Sequence, residues 1–206
     1  MKIVRYLIIV LLFNFLLITF SIIDGIKREN LSLRFQERQA VTFFSSLLLG
    51  LSGLVSLVIY LLKRRLSFFS RSAQFWLICS LGFFYLCLDE YFMMHEGLDN
   101  LVISLFKYSG AKSHWDFLPL VLFGLIGVGV CLFYRKELLD HRGISPFLFL
   151  GGLSFLGMII SHILYPLYNN DILIVIEESF KILGISFFFG GYLFILVSLI
   201  GKIKIP

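Results

Sequence analysis

Apolar residues run along this chain in six long blocks, at about 4–23, 40–62, 73–95, 117–134, 145–168 and 172–200, separated by short polar or basic breaks. A helix rises 1.5 Å per residue, so about 20 mostly apolar residues cross roughly 30 Å of hydrocarbon. Each block meets or approaches that length, and little chain is left over for a soluble domain. The pattern predicts an all-α fold: a bundle of six transmembrane helices forming one integral membrane domain over residues 1–206. The first block follows Lys2 and Arg5 as a signal peptide would, but it lacks a small-residue cleavage site near Ser21 to Gly25 and is read as a retained helix.

Composition strengthens this picture. Hydrophobic residues make up 59% of the chain, with 24 Phe and a mean hydropathy of +0.93, against about 45–50% apolar in soluble domains. Cys79, Cys87 and Cys131 all fall inside predicted spans with no close pair, which suits apolar fillers better than disulfide or zinc ligands. The formal charge of +5 comes from Lys and Arg that flank the spans, so it reports membrane orientation and not a nucleic-acid partner. With the N-terminus inside, the cytoplasmic segments hold Lys2, Arg5, Lys63, Arg64, Arg65, Arg71, Arg135, Lys136, Arg142, Lys202 and Lys204. The outer segments hold only Lys27, Arg28, Arg34, Arg38, Lys107 and Lys112, so both termini are expected in the cytoplasm. Of the 13 acids, only Glu137 and Asp140 then fall on the cytoplasmic side.

The remaining acids raise the chemical question, centred on LCLDEYFMMHEGLD at 86–99. Asp89 and Glu90 lie about six residues, roughly 9 Å, before the outer end of the third span, with His95 and Glu96 following. His162 lies a similar distance before the YNND turn at 168–171, and Glu177 and Glu178 a similar distance after it. Placing a charge at the bilayer centre costs at least about 2.5–3.5 kcal/mol, so such residues normally face the bundle interior and pair there. Ionisable groups from three helices at one depth are therefore expected to share a chamber. Asp89 and Glu96 are seven residues apart and nearly aligned, with Glu90 and His95 on opposite flanks of that stripe. Asp89, Glu96, His162 and Glu178 form the expected metal-ligand set, with Glu90 and His95 as acid/base or supporting groups. Lys181 lies four residues after Glu177 and three after Glu178, so one of these glutamates is expected to pair with it and the other to remain for chemistry.

His114 and Asp116 start the fourth span, where Asp116 also suits a helix cap before Pro119. Residues 97–112 read as a short interfacial helix or lid, and the 24–39 loop brings Glu37 and Gln39 to the second span. Ser46, Gly50 and Gly53, Gly124, Gly127 and Gly129, Gly151 and Gly152, and Ser186 with Gly190 offer close helix approach, while Asn14 can hydrogen-bond across helices. A lone histidine such as His162 is more often a hydrogen-bonded packing residue than a ligand. Its case rests on the facing carboxylates.

LDEYFMMHE at 88–96 and EESFKILG at 177–184 resemble the LDE-x4-HE and EE-x2-K/E-x2-G patterns of a group of uncharacterised bacterial multi-spanning proteins. That resemblance covers residues 75–195 loosely and implies a bacterial cytoplasmic (inner) membrane location; the basic-residue bias is what puts the expected chamber on the extracytoplasmic side. A weaker likeness is to the alkaline ceramidase and adiponectin-receptor membrane hydrolases, which hold zinc between helices with histidines, an aspartate and a serine. The chain departs from that class in having one fewer span and no H-x3-H in its last helix.

Three functions fit these residues. One is a metal-dependent, hydrolase-like membrane enzyme, using zinc, iron or manganese on a membrane lipid or lipid-linked substrate. The second is a proton- or cation-coupled transporter, opposed by the lack of acids in the inner half and of an inverted repeat. The third is a non-catalytic subunit or assembly factor, with a protein partner in the membrane and a polar network that fixes helix pairing.

Overall fold

The computed structural model describes residues 2–36, 39–66, 71–94, 117–141 and 143–201. Among these residues the fold is all-helical, in the order α1 (Lys2–Lys27), α2 (Ala40–Leu66), α3 (Arg71–Phe92), α4 (Phe117–Phe133), α5 (Arg135–Asp140), α6 (Ser145–Tyr168) and α7 (Asp171–Ile200). Five of them, α1, α2, α3, α6 and α7, are long and apolar enough to cross a membrane, the mark of a multi-pass membrane protein. The expected fourth span corresponds to α4, whose 17 described residues are apolar and which ends at Phe133, before Tyr134 leaves the helix.

Local signals set several boundaries. Asn169 takes a left-handed φ of 45° to close α6, and the Asn170 side chain then accepts from the Ile172 N–H at 2.9 Å to open α7. Two asparagines thus make a tight hairpin of α6 and α7. Pro146 in the first turn of α6 has no N–H to satisfy there, so it starts the helix without loss. At the end of α3, Met93 has a φ of 58°, and its N–H donates to the Asp89 carbonyl at 2.7 Å. α3 therefore stops short of the residue-95 boundary that hydropathy predicts.

α7 is the central helix, packed by α1, α2 and α6. Small residues on it admit bulky neighbours: a Cβ on Gly191 would sit 2.8 Å from the Phe147 Cβ of α6, and one on Gly190 would sit 2.8 Å from Val10 of α1. Asn14 of α1 accepts from the Ser186 hydroxyl of α7 at 3.2 Å, the cross-helix bond its position suggests. α2 packs closely on α3, with Gly50 facing Cys87 and Gly53 facing Phe84. α3 meets α7 through aromatic rings, with Phe83 and Trp76 lying 5.5 and 5.2 Å from Tyr192. The α4 glycines behave differently, since Gly124, Gly127 and Gly129 have nothing within 4 Å of an added Cβ. Their small size serves no close approach among the described residues. The antiparallel order puts the start of α1 beside the end of α7, where the Tyr6 and Phe194 rings lie 5.8 Å apart. This end is called the terminal end below, and the end bearing residues 28–36 and 169–170 the loop end.

Replacing Gly191 by Ala is expected to lower the detergent-solubilised protein's stability by about 1–3 kcal/mol, since the clashing Phe147 Cβ is bonded to backbone and cannot swing away. Gly127→Ala, with open space around it, is expected to be neutral or slightly stabilising. Thermal unfolding of the two variants checks the contrast.

Candidate functional site: a charged chamber on the central helix

The two glutamates that open α7 diverge by about 100° around its axis, and the helix hands each to a different neighbour. Glu178 Oε1 lies 2.8 Å from Lys181 Nζ one turn later, and the same ammonium lies 2.7 Å from Glu90 Oε1 of α3. Glu177 Oε1 turns to α6 and pairs with His162 Nδ1 at 2.8 Å. Ionisable groups of α3, α6 and α7 do pair across helices: Glu90 meets Lys181 beside Glu178, and Glu177 meets His162. Their side chains are 14%, 19%, 13%, 19% and 33% exposed, so all are largely withdrawn from the surroundings. The Lys181–Glu90 contact is an ion pair by distance without hydrogen-bond alignment. Glu90 Oε1, Glu178 Oε2 and Ser179 Oγ are buried without a hydrogen-bond partner.

The pairing differs in detail from the expected ligand set. Glu90, assigned to a flank, makes the ion pair across to α7, while Asp89 is half-buried one residue earlier and its backbone carbonyl accepts from the Met93 N–H. Glu178, expected as a metal ligand, is the ion-pair partner of Lys181, and Glu177 is the partner of His162. Among the described residues no three His, Cys, Asp or Glu side chains come together as a metal-binding group. Lys181 Nζ lies within 2.8 Å of one oxygen of Glu90 and one of Glu178. His95, Glu96, His114 and Asp116, together with Glu37 and the expected 97–112 lid, lie outside the described residues.

A second buried charged cluster sits at the terminal end, and hydropathy gave no sign of it. Glu137 of α5, read from sequence as a loop acid, is 7% exposed. Lys63 of α2 donates to its Oε1, and Trp76 Nε1 of α3 donates to the same oxygen at 2.8 Å. Lys63 also donates to Ser72 Oγ at 2.8 Å and lies 3.2 Å from His141 Nε2. Burial works to raise the Glu137 carboxyl, but hydrogen bonds from His141, Lys63, Ser72 and Trp76 outweigh it and hold the group well below the usual carboxylate range. The KRR and RKELLD runs look like orientation signals, yet one residue of each is folded inward. Only the spacing of Trp76 opposite these runs could have hinted at it.

Lys63→Met is expected to cost about 3–5 kcal/mol by leaving a buried carboxylate unpaired, and adding Glu137→Leu to recover most of that loss. The stabilisation from Glu137 is complete above its unfolded value of about 4.3 and is lost as pH falls below that toward the depressed folded value. Thermal unfolding from pH 7 downwards should therefore show a steeper acid loss in the parent than in a Glu137→Gln variant.

No curated protein and no solved structure matches the chain. One family model does, described as Domain of unknown function (DUF8692), and it spans residues 5–196, which include α2 to α6, both charged clusters and nearly all of α7. Because that match covers almost the whole sequence, the chain belongs to the DUF8692 family.

Proposed function

We propose that the protein is a non-catalytic membrane subunit or assembly factor whose loop-end chamber is a charge-compensated network that fixes how α3, α6 and α7 pair. One observation carries this reading: Lys181 Nζ sits between Glu90 and Glu178, at 2.7 and 2.8 Å, so the carboxylates are engaged by the chain's own cation. The His162–Glu177 pair extends the same logic to α6. In a bilayer the apolar effect does not distinguish helix–helix from helix–lipid contact, so polar contacts and close packing decide the arrangement. The expected partner is another membrane protein. The aromatic packing of Phe83, Trp76, Phe188 and Tyr192 between the two charged ends supports a closed interior over a transport path.

The reading includes α4 as a sixth span, both termini in the cytoplasm and the loop end facing outward from a bacterial inner membrane. The eleven basic residues assigned to the cytoplasmic segments support this orientation. A second reading, the metal-dependent enzyme acting on a lipid or lipid-linked substrate, draws on Glu178 Oε2 and Ser179 Oγ, which are buried without partners. It would need His95, Glu96 or Asp89 to complete a zinc, iron or manganese site, with water activation as the chemistry that the metal supplies.

Lys181→Met alone is expected to lower stability by about 3–5 kcal/mol, because two buried carboxylates lose their cation. The triple variant with Glu90→Gln and Glu178→Gln should regain most of it. Elemental analysis of the purified parent separates the readings: metal at one equivalent, lost in Glu178→Gln, would replace the structural role with the enzymatic one. For orientation, Asn169→Cys in a background with Cys79, Cys87 and Cys131 changed to Ala is expected to react with an impermeant thiol reagent in intact cells. Reaction only after lysis would invert the topology.

A further inference from the structure

The connection between α1 and α2 bears on how the chamber is reached. Phe35 is 1% exposed and belongs to one buried apolar cluster with Val41 and Leu48 of α2 and Val175 and Ile182 of α7, with Leu31 packed against it. Val175, Glu178, Ser179 and Ile182 are spaced by three or four residues and share one side of α7. Phe35 therefore occupies the loop end of the helix face that carries Glu178 and Ser179. A connection that only joined two helices would not bury a phenylalanine so completely at a membrane protein's polar end.

The segment is also tied at several points. Ser32 donates to Asp171 Oδ2 at the start of α7 at 3.2 Å, and Arg34 Nε lies 2.6 Å from Asp24 Oδ2 at the end of α1. Thr42 donates to the Gln36 carbonyl at 3.2 Å, and the Val41 N–H to that of Arg34 at 3.2 Å. Three helix ends, those of α1, α2 and α7, thus hold one strap. Glu178, on the face that Phe35 caps, is 13% exposed, Glu90 14%, Lys181 and Glu177 19%, and His162 on α6 is the most exposed at 33%.

We infer that residues 28–36 form a plug that closes the loop end of the chamber to water, with Phe35 as its stopper, so that the charged groups are approached sideways along α6 and not from the aqueous phase above Glu178. This goes beyond the structural role proposed for the ion pairs, and it stands or falls separately. If the lateral side is the only approach, whatever meets His162 and Glu177 arrives from the lipid phase or from a neighbouring membrane helix.

The test uses the full chain in membranes, with the three native cysteines changed to Ala, and Ser179→Cys as the probe, a near-isosteric change at a buried hydroxyl outside the ion pairs. A charged, membrane-impermeant methanethiosulfonate should label Ser179→Cys at least about tenfold more slowly than the exposed turn position Asn169→Cys. Adding Phe35→Ala should speed Ser179→Cys labelling by about tenfold or more, whereas Phe35→Leu should leave it protected. A second variant, Ser32→Ala with Arg34→Gln, cuts the polar ties while keeping the stopper and should give an intermediate rate even if Phe35→Ala fails to fold. Labelling of Ser179→Cys as fast as Asn169→Cys in the parent overturns the plug, as does a rate unmoved by both opening variants. Neither result depends on the Lys181→Met stability experiment, so failure of the plug is distinguishable from failure of the structural reading.

Discussion

A lysine ammonium placed between two carboxylates inside a helical bundle constrains the rest of this molecule. Lys181 can meet Glu178 only because the two are one turn apart on α7, and Glu90 only because α3 ends at the matching height. An unpaired charge at that depth would cost several kcal/mol, so any sliding or rotation of α3 against α7 is resisted by the loss of that pair. Apolar side chains cannot supply this resistance, since they are as content against lipid as against one another. The aromatic contacts from Phe83 and Trp76 to Tyr192 fill the space between the two helices, and the ion pair fixes their register.

The terminal end repeats the device with different residues. Lys63, Trp76 and Glu137 join α2, α3 and α5, so the terminal end is tied across helices as the loop end is. Each end thus has a buried carboxylate in contact with a lysine, separated by an aromatic interior. α4 lies outside both arrangements. It touches the bundle through contacts such as Tyr85 with Phe123, 5.3 Å apart, and most of its described side chains are exposed.

The expected metal chemistry and the observed pairing share Glu90, His162 and Glu178. Carboxylates and a histidine on neighbouring helices are compatible with a metal, with a proton store or with an internal cation. Spacing alone allows Lys181 to reach Glu177 or Glu178 equally well. In the fold it meets Glu178 and also Glu90, on a helix 91 residues earlier in the chain, while Glu177 meets His162.

Much was legible from sequence because it depends on local chemistry: the long apolar helices, the asparagine turn between α6 and α7, the depth of Glu90, His162, Glu177 and Glu178, and the cross-helix reach of Asn14. Hydropathy and helical period encode these directly. Pairings between distant helices were not legible, nor was the inward turn of Glu137 and Lys63, because a charged residue beside a span reads the same whether it faces water or is folded under a tryptophan. The burial of Phe35 in a basic loop was hidden for the same reason. Sequence by itself determined which residues must avoid lipid. Only the tertiary structure decided which partner each one met, because a charge's cost is a property of the residue while its compensation is a property of the packing.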